Sequence, residues 1–533
     1  MYFILAVFPV FLALLLMTRF RVQPGYAMPV SLVCTVCTAF FAWHMPASGI
    51  FASAVFGLLK SLDIILIVYC AVLLLNILKH NNALVLINNT FSRISPDRRI
   101  QVVIIAWLFS SFIEGAAGFG SAPALVAPLL AGMGFPVMTA CVVALIGNTL
   151  PVPFGAVGTP VITLNSILSP DLASCGINQQ AFEHAVMTLF TDISMLAGIF
   201  LPFVMVVAML LFSRRPGWWR AALEIFPFCI MSGIVYFVPW KFAAVFLGPE
   251  LPSMIGTVIA LPVMLLVLKL KIRFFVPENV WDFETSSGVA ADENTDVRAT
   301  VKAWIPYILI ALLLVLTRLP MLPFRNWLRF VVISAPPIAG LPGTAFNWQF
   351  FYNSGVFPFF AVSVFTMFMY GIKNQQAEKV FLGTARQISQ SAVAIGASFA
   401  VVQIMVFSDI GGLPGMLNVI AGSVAAFFSK AYIAASPLIG VLGTFFAGSC
   451  TVSNILFGSI QFNTAHLAGL QEEMIIALQN FGGGLGSMIR ISGVVATCAT
   501  VNAKGLEGRI ILLNCIPVAV MVILGLLAAF FLM

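Results

Sequence analysis

The sequence predicts an all-α, polytopic membrane protein with about 12–14 spans and two inverted repeats, each containing a re-entrant hairpin and a broken helix. The first observation behind this prediction is composition. Of the 533 residues, 61% are hydrophobic and 8% are charged, and the mean hydropathy is +1.06. A soluble chain of this length could not cover so many apolar side chains. The second observation is a duplicated stretch rich in Gly, Ser, Thr and Asn.

The duplication is defined by matching positions in the two halves of the chain. Gly115 in FIEGAAGFGSAP corresponds to Gly448 in FAGSCTVSN, and Asn148 corresponds to Asn480. The spacing from Gly to Asn is 33 residues in the first copy and 32 in the second. Duplicated polar units inside an apolar chain are typical of secondary transporters that are built from repeats.

Each copy is predicted to interrupt its helices twice. Glycine and proline weaken or break a helix, and irregular backbone at membrane depth is tolerated only where it is buried in protein or lines a cavity. We therefore expect re-entrant hairpins with tips at Gly115–Ser121 and Gly448–Asn454. Facing these tips, we expect unwound helices at Gly147–Pro153 and Asn480–Gly486.

The basic residues predict the orientation in the membrane. They form six short clusters, which the positive-inside rule places on the cytoplasmic face, so that both termini lie outside. The clusters are Arg19/Arg21, Arg93/Arg98/Arg99, Arg214/Arg215/Arg220, Lys269/Lys271/Arg273, Lys373/Lys379/Arg386 and Lys504/Arg509. No basic patch is interleaved with aromatic residues, so nucleic-acid binding is not expected.

The extended polar stretch 276–300 predicts a flexible cytoplasmic linker between a first membrane half, 1–275, and a second, 301–533. The charges that flank corresponding segments of the two halves are opposed. Basic residues mainly follow the segment 73–87 but precede the segment 401–417. Two halves of opposite topology form an inverted repeat, an architecture that supports alternating access.

The breaks carry the candidate substrate-binding residues. A half-helix that starts at a break presents unpaired N–H groups at the positive end of its dipole, and hydroxyl and amide side chains add further donors. A small anion with an adjacent hydroxyl suits this set. The candidates are Gly115, Gly118, Asn148, Thr149, Gly448, Ser449, Thr451, Ser453, Asn454 and Asn480. The alternative is that these residues only allow close helix packing.

Charged residues near the breaks are functional candidates, because an ionisable side chain inside a bilayer costs several kcal/mol. Glu114 adjoins the first tip, where burial would favour its protonated form and suit it to carry a proton. Arg490 follows the second break and could bind a substrate carboxylate through two parallel hydrogen bonds. Asp192 and Asp409 are weaker candidates for proton coupling. The alternative is that Glu114 and Arg490 pair with each other or with these aspartates as structural ion pairs.

Other classes of protein fit the sequence less well. The nine cysteines are scattered through apolar segments and predict packing rather than a metal site, and no cofactor is expected. Neither HExxH nor GxSxG occurs, which argues against an enzyme. A channel would also need broken helices, but the inverted repeat and Glu114 favour a carrier. The remaining alternative is a sodium-coupled carrier of another small carboxylate, with Na⁺ held near Ser453 and Asn454.

Three blocks of sequence together resemble the bacterial L-lactate permease family, and the likeness extends over most of the chain. The blocks are EGAAGFGSAPALVAPLLAGMGFP, GNTLPVPFGAVGTP and FAGSCTVSNILFGSIQ. The resemblance implies a multi-pass protein of the bacterial plasma (inner) membrane that takes up L-lactate, and often D-lactate or glycolate, together with a proton. Its implied partners are a small 2-hydroxy monocarboxylate, a proton and the lipid bilayer. The residues alone predict a carrier of a small polar or anionic solute.

Overall fold

The computed structural model describes residues 2–533 except positions 19, 21, 82, 84–85, 87–94, 119–120, 214–216, 273, 284–296, 319–323, 342, 353–355, 502 and 504–505. The described chain is almost entirely helical, which confirms the predicted all-α class. One antiparallel pair of short strands joins β1 (Ile333–Ala335) to β2 (Phe346–Trp348). Within the described ranges, nine helical segments are long and apolar enough to cross a bilayer, and seven shorter apolar helices accompany them.

The helices fall into four groups along the chain. The N-terminal group is α1 (Tyr2–Thr18), α2 (Pro24–Phe41) and α3 (Ala47–His80). The first repeat unit is α4 (Arg98–Gln101), a π-helix (Val102–Phe109), α5 (Ser110–Ala117), α6 (Ser121–Gly132), α7 (Val137–Gly147), a 3₁₀ helix (Val152–Phe154) and α8 (Gly155–Ser174). The middle group is α9 (Gln179–Gly198), α10 (Leu201–Phe212), α11 (Trp218–Leu247), α12 (Pro252–Lys269), α13 (Val297–Arg318), α14 (Phe324–Arg329) and α15 (Phe357–Tyr370). The last group is α16 (Asn374–Val406), α17 (Met416–Phe428), α18 (Tyr432–Ala447), α19 (Cys450–Ala468), α20 (Glu472–Leu485), a 3₁₀ helix (Gly486–Met488), α21 (Ile491–Thr500) and α22 (Glu507–Leu532).

Local chemistry explains where several helices begin and end. α9 begins after Asn178, whose side-chain oxygen accepts a hydrogen bond from a backbone N–H of the first turn at 3.0 Å. α4 begins after Asp97, which accepts from the N–H of Arg99 at 2.8 Å. Such caps satisfy N–H groups that have no partner within the helix. α18 ends at Gly448, whose left-handed conformation costs a glycine little.

A cluster of fully buried aromatic rings anchors the first repeat unit. Trp107 of the π-helix packs on Tyr236 of α11, with ring centroids 4.9 Å apart. Phe154, in the 3₁₀ helix, packs on Trp240 of α11 at the same distance. Large buried aromatic side chains contribute strongly to packing. The break between α7 and α8 is therefore held in place by the neighbouring helix α11.

The two predicted membrane halves are packed into each other. α3 lies along α16, and Gly57 permits the approach, since a Cβ at this position would lie 2.8 Å from the backbone nitrogen of Ala400. α2 also contacts α16, and a Cβ on Gly25 would lie 2.8 Å from the carbonyl oxygen of Gln390. The N-terminal helices therefore pack with the last group, although they precede the first repeat unit in the chain.

The predicted linker 276–300 differs from expectation where the structure describes it. Its first residues are docked rather than free. Arg98 Nε contacts Asp282 Oδ1 at 2.8 Å, and Arg99 Nη2 donates to the carbonyl of Asn279 at 2.6 Å. Phe283 is 7% exposed. Arginine donors and an apolar anchor thus hold residues 279–283, while 284–296 lie outside the described residues and a helix begins at Val297.

Several residues of the predicted basic clusters also lie outside the described part of the chain. They are Arg19, Arg21, Arg93, Arg214, Arg215, Arg273 and Lys504. The orientation that rests on these clusters stays a prediction.

Candidate functional site

Two helical hairpins end at the same place in the molecule. In the first, α5 ends at Gly118, which has φ 59°, and α6 begins three residues later. In the second, α18 ends at Gly448, with φ 70°, and α19 begins after Ser449. Two features require glycine at position 118. Its φ is left-handed, and a Cβ there would lie 2.6 Å from the backbone nitrogen of Ala156. Both hairpin breaks lie where the sequence predicts them, although Phe119 and Gly120 are outside the described residues.

The interruption that faces the first hairpin contains strained backbone. After the 3₁₀ helix, Ala156 (φ 42°, ψ 59°), Val157 (φ 60°, ψ 41°) and Gly158 (φ 73°, ψ 15°) all adopt left-handed conformations. This conformation is rare for alanine and is an outlier for β-branched valine. Strain of this kind persists only where the surroundings impose it, and it is concentrated at functional sites. The sequence predicts a break at Gly147–Pro153, but not this strained run beyond it.

The second interruption lies later than predicted. α20 is helical through Leu485, so the expected unwinding at Asn480–Gly486 is wrong. The glycines of this run serve close packing instead. A Cβ on Gly482 would lie 2.0 Å from the carbonyl oxygen of Pro437 in α18. The helix ends in the 3₁₀ turn Gly486–Met488, and Arg490 lies in the break itself, immediately before α21.

The two repeat units therefore share one order of elements. Each has a helix, a left-handed glycine, a second helix, a third helix, a 3₁₀ helix and a fourth helix. The shared order supports the duplication read from the sequence. The opposite orientation of the two units stays a prediction.

A small cavity lies where the breaks of the two units meet. Its lining comes from α5, the first break, the start of α8, the start of α19 and the second break. The lining residues are Glu114, Val152, Gly155, Ala156, Thr159, Pro160, Ser449, Cys450, Thr451 and Arg490. Its volume of about 20 Å³ is enough for a water molecule. A three-carbon acid would need the walls to move apart.

A much larger cavity of about 940 Å³, which we call the vestibule, leads to the same place. Ser449 and Arg490 line both cavities. Farther out, the vestibule is lined by residues 22–25 before and in α2, by Gln390 in α16 and by Glu507 at the start of α22. All three positions adjoin clusters of basic residues that the sequence predicts to be cytoplasmic.

Glu114 is oriented by a chain of hydrogen bonds. The side chain is 2% exposed, and Oε2 accepts from Asn148 Nδ2 at 3.0 Å. Asn148 in turn accepts at Oδ1 from the hydroxyl of Ser110 at 3.2 Å. The other carboxyl oxygen, Oε1, lies against Gly155, where a Cβ would come within 2.8 Å of it. Glycine at this position leaves one oxygen of Glu114 accessible at the cavity wall.

Arg490 is 4% exposed and has an unused donor. Its Nε has no hydrogen-bond partner in the described part of the chain. The side chain packs on Gly493, where a Cβ would lie 2.5 Å from Nε. Among the described residues, no ion pair or direct hydrogen bond joins Arg490 to Glu114, although both line the small cavity. A buried guanidinium with a free N–H is suited to bind an anion.

The start of α19 adds further donors. The first intrahelical bond runs from Ser453 N to Ser449 O, so the N–H groups of Cys450, Thr451 and Val452 precede it. Ser449 occupies the N-cap position, but its side chain makes no capping bond. Its hydroxyl therefore remains available beside the positive end of a 19-residue helix.

Behind the cavity lies a buried network of amide side chains. Asn454 Nδ2 donates to Asn480 Oδ1 at 3.0 Å and to the carbonyl of Pro160 at 3.1 Å. Gln479 Nε2 lies 3.3 Å from Asn454 Oδ1, and Gln461 Nε2 donates to Gln479 Oε1 at 2.6 Å. Neither glutamine is among the site residues predicted from the sequence, although polar residues in apolar helices are a usable signal.

The other predicted site residues lie apart from the small cavity. Gly448 lines the vestibule, and Gly115 approaches Ser253 of α12. Thr149 and Ser453 donate to backbone carbonyls of Ile146 and Gly440.

The two aspartates predicted for proton coupling are also remote from the cavity lining. Asp192 pairs with Lys241 of α11. Asp409 is exposed and lies in a 3₁₀ helix that follows α16. Of the charged candidates, the structure brings together Glu114 and Arg490.

The chain matches the sequence profile of the L-lactate permease family over residues 2–533. The chain belongs to the L-lactate permease family. It is therefore a multi-pass transport protein of the bacterial plasma (inner) membrane rather than an enzyme, as the sequence predicts. The resemblance carried by the three sequence blocks is confirmed.

Several curated members of the family are similar over nearly their whole length. A putative L-lactate permease of Haemophilus influenzae is 26% identical over 99% of this chain and 98% of its own. The L-lactate permease of Bacillus subtilis is 28% identical over 88% of this chain and 84% of its own. The glycolate permease GlcA of Escherichia coli K12 is 26% identical over 95% of this chain and 91% of its own.

One solved structure aligns with most of the chain. The crystal structure of the Alcanivorax borkumensis YdaH transporter, described as having an unusual topology, covers 89% of this chain and 86% of its own. The TM-score is 0.46 and the sequence identity is 12%.

Proposed function

We propose that this permease takes up L-lactate, or a related 2-hydroxy monocarboxylate such as D-lactate or glycolate, together with a proton. The observation that carries the proposal is the pair of buried, opposite charges, Glu114 and Arg490, in one small cavity. The names of the curated relatives, which include lactate and glycolate permeases, support the substrate class.

The donors at the cavity suit a carboxylate. Arg490 offers its free N–H, the start of α19 offers backbone N–H groups, and Ser449 offers a hydroxyl. Thr159 and Thr451 also line the cavity and are suited to pair with the hydroxyl beside the carboxylate. The substrate would thus replace the missing partner of Arg490 and satisfy both of its own polar groups.

Charge balance explains why substrate and proton would move together. The cavity without substrate is neutral when Glu114 is ionised beside the cationic Arg490. With lactate bound, it is neutral only when Glu114 is protonated. Lactate without a proton would leave one negative charge in excess, and a proton without lactate would leave one positive charge in excess. Each of these buried, unbalanced states is costly, so the carrier would change conformation mainly when empty or doubly loaded.

The geometry of Glu114 fits this role. Because Oε2 accepts the Asn148 amide hydrogen, the proton would be carried on Oε1, which lies at the glycine of the cavity wall. The hydrogen bond from Asn148 cannot substitute for a proton on Oε1, because the Asn148 amide already donates to Oε2. Glu114 is therefore positioned to exchange a proton with the cavity while one oxygen stays fixed.

The sodium-coupled alternative finds less support in the same geometry. It places Na⁺ near Ser453 and Asn454, but the Ser453 hydroxyl donates to the carbonyl of Gly440 at 3.3 Å. Asn454 is held in the amide network. Both side chains already have protein partners.

Uptake into proteoliposomes, with proton and sodium gradients imposed separately, tests the proposal. We expect an inwardly directed proton gradient to drive accumulation of labelled L-lactate, and a sodium gradient at constant pH to drive none. Accumulation driven by sodium alone would overturn proton coupling. Failure of lactate, D-lactate and glycolate to enter under either gradient would overturn the substrate class.

A further inference from the structure

α8 and α19 both begin at the small cavity and run side by side away from it, along a contact that we call the seam. At the cavity end, Asn454 donates to the α8 backbone. Farther along, Gly458 of α19 faces Leu164 of α8. Near the far ends, Asn463 Nδ2 donates to Asp171 Oδ1 at 3.1 Å. The seam therefore extends from the site to the exposed ends of the two helices.

The middle of the seam is sealed by apolar contact. A Cβ on Gly458 would lie 2.7 Å from Leu164 Cδ1, so the two helices touch directly. A separate apolar cluster that includes Leu164, Leu168 and Phe462 surrounds this contact. The ring of Phe462 also packs on Phe182 of α9, with centroids 5.6 Å apart. Contacts this close exclude water from the path between the cavity and the exposed end.

Buried polar groups meet across the seam near its far end. Asp171 of α8 is 8% exposed, and its carboxylate accepts a hydrogen bond from Asn463 of α19. Ser459 of α19 is 1% exposed, and its hydroxyl lies within hydrogen-bonding reach of the same carboxylate. Water would replace both contacts if the seam opened, so the net contribution of each contact to the closed state is modest.

The vestibule supplies the complementary route. It reaches Arg490 from the side of residues 22–25 and Glu507, whereas the seam leads from the same cavity to the ends of α8 and α19. In a carrier that works by alternating access, one route is closed while the other is open. The closed seam and the open vestibule correspond to one such state.

We infer that the seam between α8 and α19 is the second gate of this carrier, and that Asp171 and Ser459 act as positioning residues that hold its closed state. The inference rests on the proposed transport function. Because water can replace these polar contacts at little net cost, they hold the closed seam without locking it.

Cross-linking tests whether the seam must open. Asp171→Cys and Asn463→Cys are combined in a carrier whose nine native cysteines are replaced. Oxidation should abolish lactate uptake in proteoliposomes, and reduction should restore it, whereas either single cysteine variant should be unaffected by oxidation. Undiminished uptake by protein that is shown to be cross-linked would overturn the gate.

A second measurement does not depend on uptake. Leu168→Cys places a reporter inside the seam, and its rate of reaction with a membrane-impermeant thiol reagent measures opening. Ser459→Ala removes a polar contact to Asp171 across the seam and should raise this rate roughly tenfold. Ser398→Ala is the matched control, because that buried hydroxyl already donates to Ala394 O at 2.7 Å.

The outcomes separate the two proposals. Equal reporter rates for Ser459→Ala and Ser398→Ala would remove Ser459 from the gate. If the reactivity of the reporter depends on Ser459 but the protein transports neither lactate nor glycolate, the gate is upheld and the proposed substrate class is overturned. If the carrier takes up lactate but the Leu168→Cys reporter never reacts, the gate is overturned and the proposed substrate class stands.

Discussion

Glu114 and Arg490 are the two residues on which the proposed binding site depends, because each is buried and each retains an unused position. For Glu114 this is Oε1 at Gly155, and for Arg490 it is the unpaired Nε. Both residues could be found from the sequence, since charges next to glycine-rich breaks stand out in an apolar chain. Their separation without a direct ion pair could not, because it depends on how Asn148 and Gly493 position the two side chains.

Glu114→Gln is expected to abolish net accumulation of lactate while retaining exchange. The amide keeps the shape but cannot ionise, so the cavity balances its charge only with lactate bound, and the empty carrier cannot return. Proton-driven uptake and counterflow in proteoliposomes would be compared. Glu183→Gln is the control, because that carboxylate lies in α9 and accepts from Gln179. If Glu114→Gln accumulated lactate in a pH-dependent way and to the level of the parent carrier, the coupling role of Glu114 would be contradicted.

Arg490→Lys is expected to weaken apparent lactate affinity roughly tenfold, since an ammonium group cannot reproduce the planar pair of N–H donors. Arg490→Ala should weaken lactate affinity further, because the bound carboxylate would lose its counter-charge. Concentration dependence of uptake, corrected for the amount of inserted protein, provides the measurement. Arg509→Ala, at an exposed position on α22, is the control. Parent affinity in well-inserted Arg490→Ala would show that the α19 N–H groups bind the anion alone.

At the scale of elements, glycine has two uses that the sequence does not distinguish. Gly118 and Gly448 end helices in left-handed conformations, as their positions predict. Gly482 and Gly484 instead lie within α20, where they allow close contact with Pro437 and Pro153. The predicted second break was therefore placed too early. A break and a close approach both require small residues, and only the neighbours of each residue show which applies.

Gly118→Ala tests the conformational requirement at the first hairpin. The added Cβ would collide with the backbone of Ala156 and force an alanine to a φ of 59°. We expect destabilisation on the order of 1–3 kcal/mol, seen as a lower yield of monodisperse protein and a lower Tm in detergent. Gly132→Ala adds the same methyl group where no atom lies within 4 Å. Equal Tm values for the two variants would argue against the strained turn.

At the scale of the whole molecule, composition and repeat spacing were enough to predict a multi-pass helical protein with two related units. They did not predict how the N-terminal helices α2 and α3 pack along α16, since contacts between distant segments leave no local signal. Nor did polarity reveal that residues 279–283 dock on Arg98 and Arg99.

The predicted orientation can be tested at position 286. Ser286→Cys, in a background without accessible cysteines, should be protected from impermeant thiol reagents in intact cells and should react after the membrane is opened. The reason is that the neighbouring basic clusters favour the cytoplasmic side. Rapid labelling from outside would reverse the orientation, and with it the assignment of the vestibule to the cytoplasm.

The shared position of Arg490 in the vestibule and the small cavity has a pharmacological consequence. A bulky monocarboxylate could place its charged end on Arg490 and its bulk in the 940 Å³ of the vestibule, where the bulk would keep the vestibule from closing. Such a compound would be a non-transported blocker that competes with the solute from one side of the membrane only. Its potency would depend on the concentration of solute on the side of the membrane where the vestibule opens.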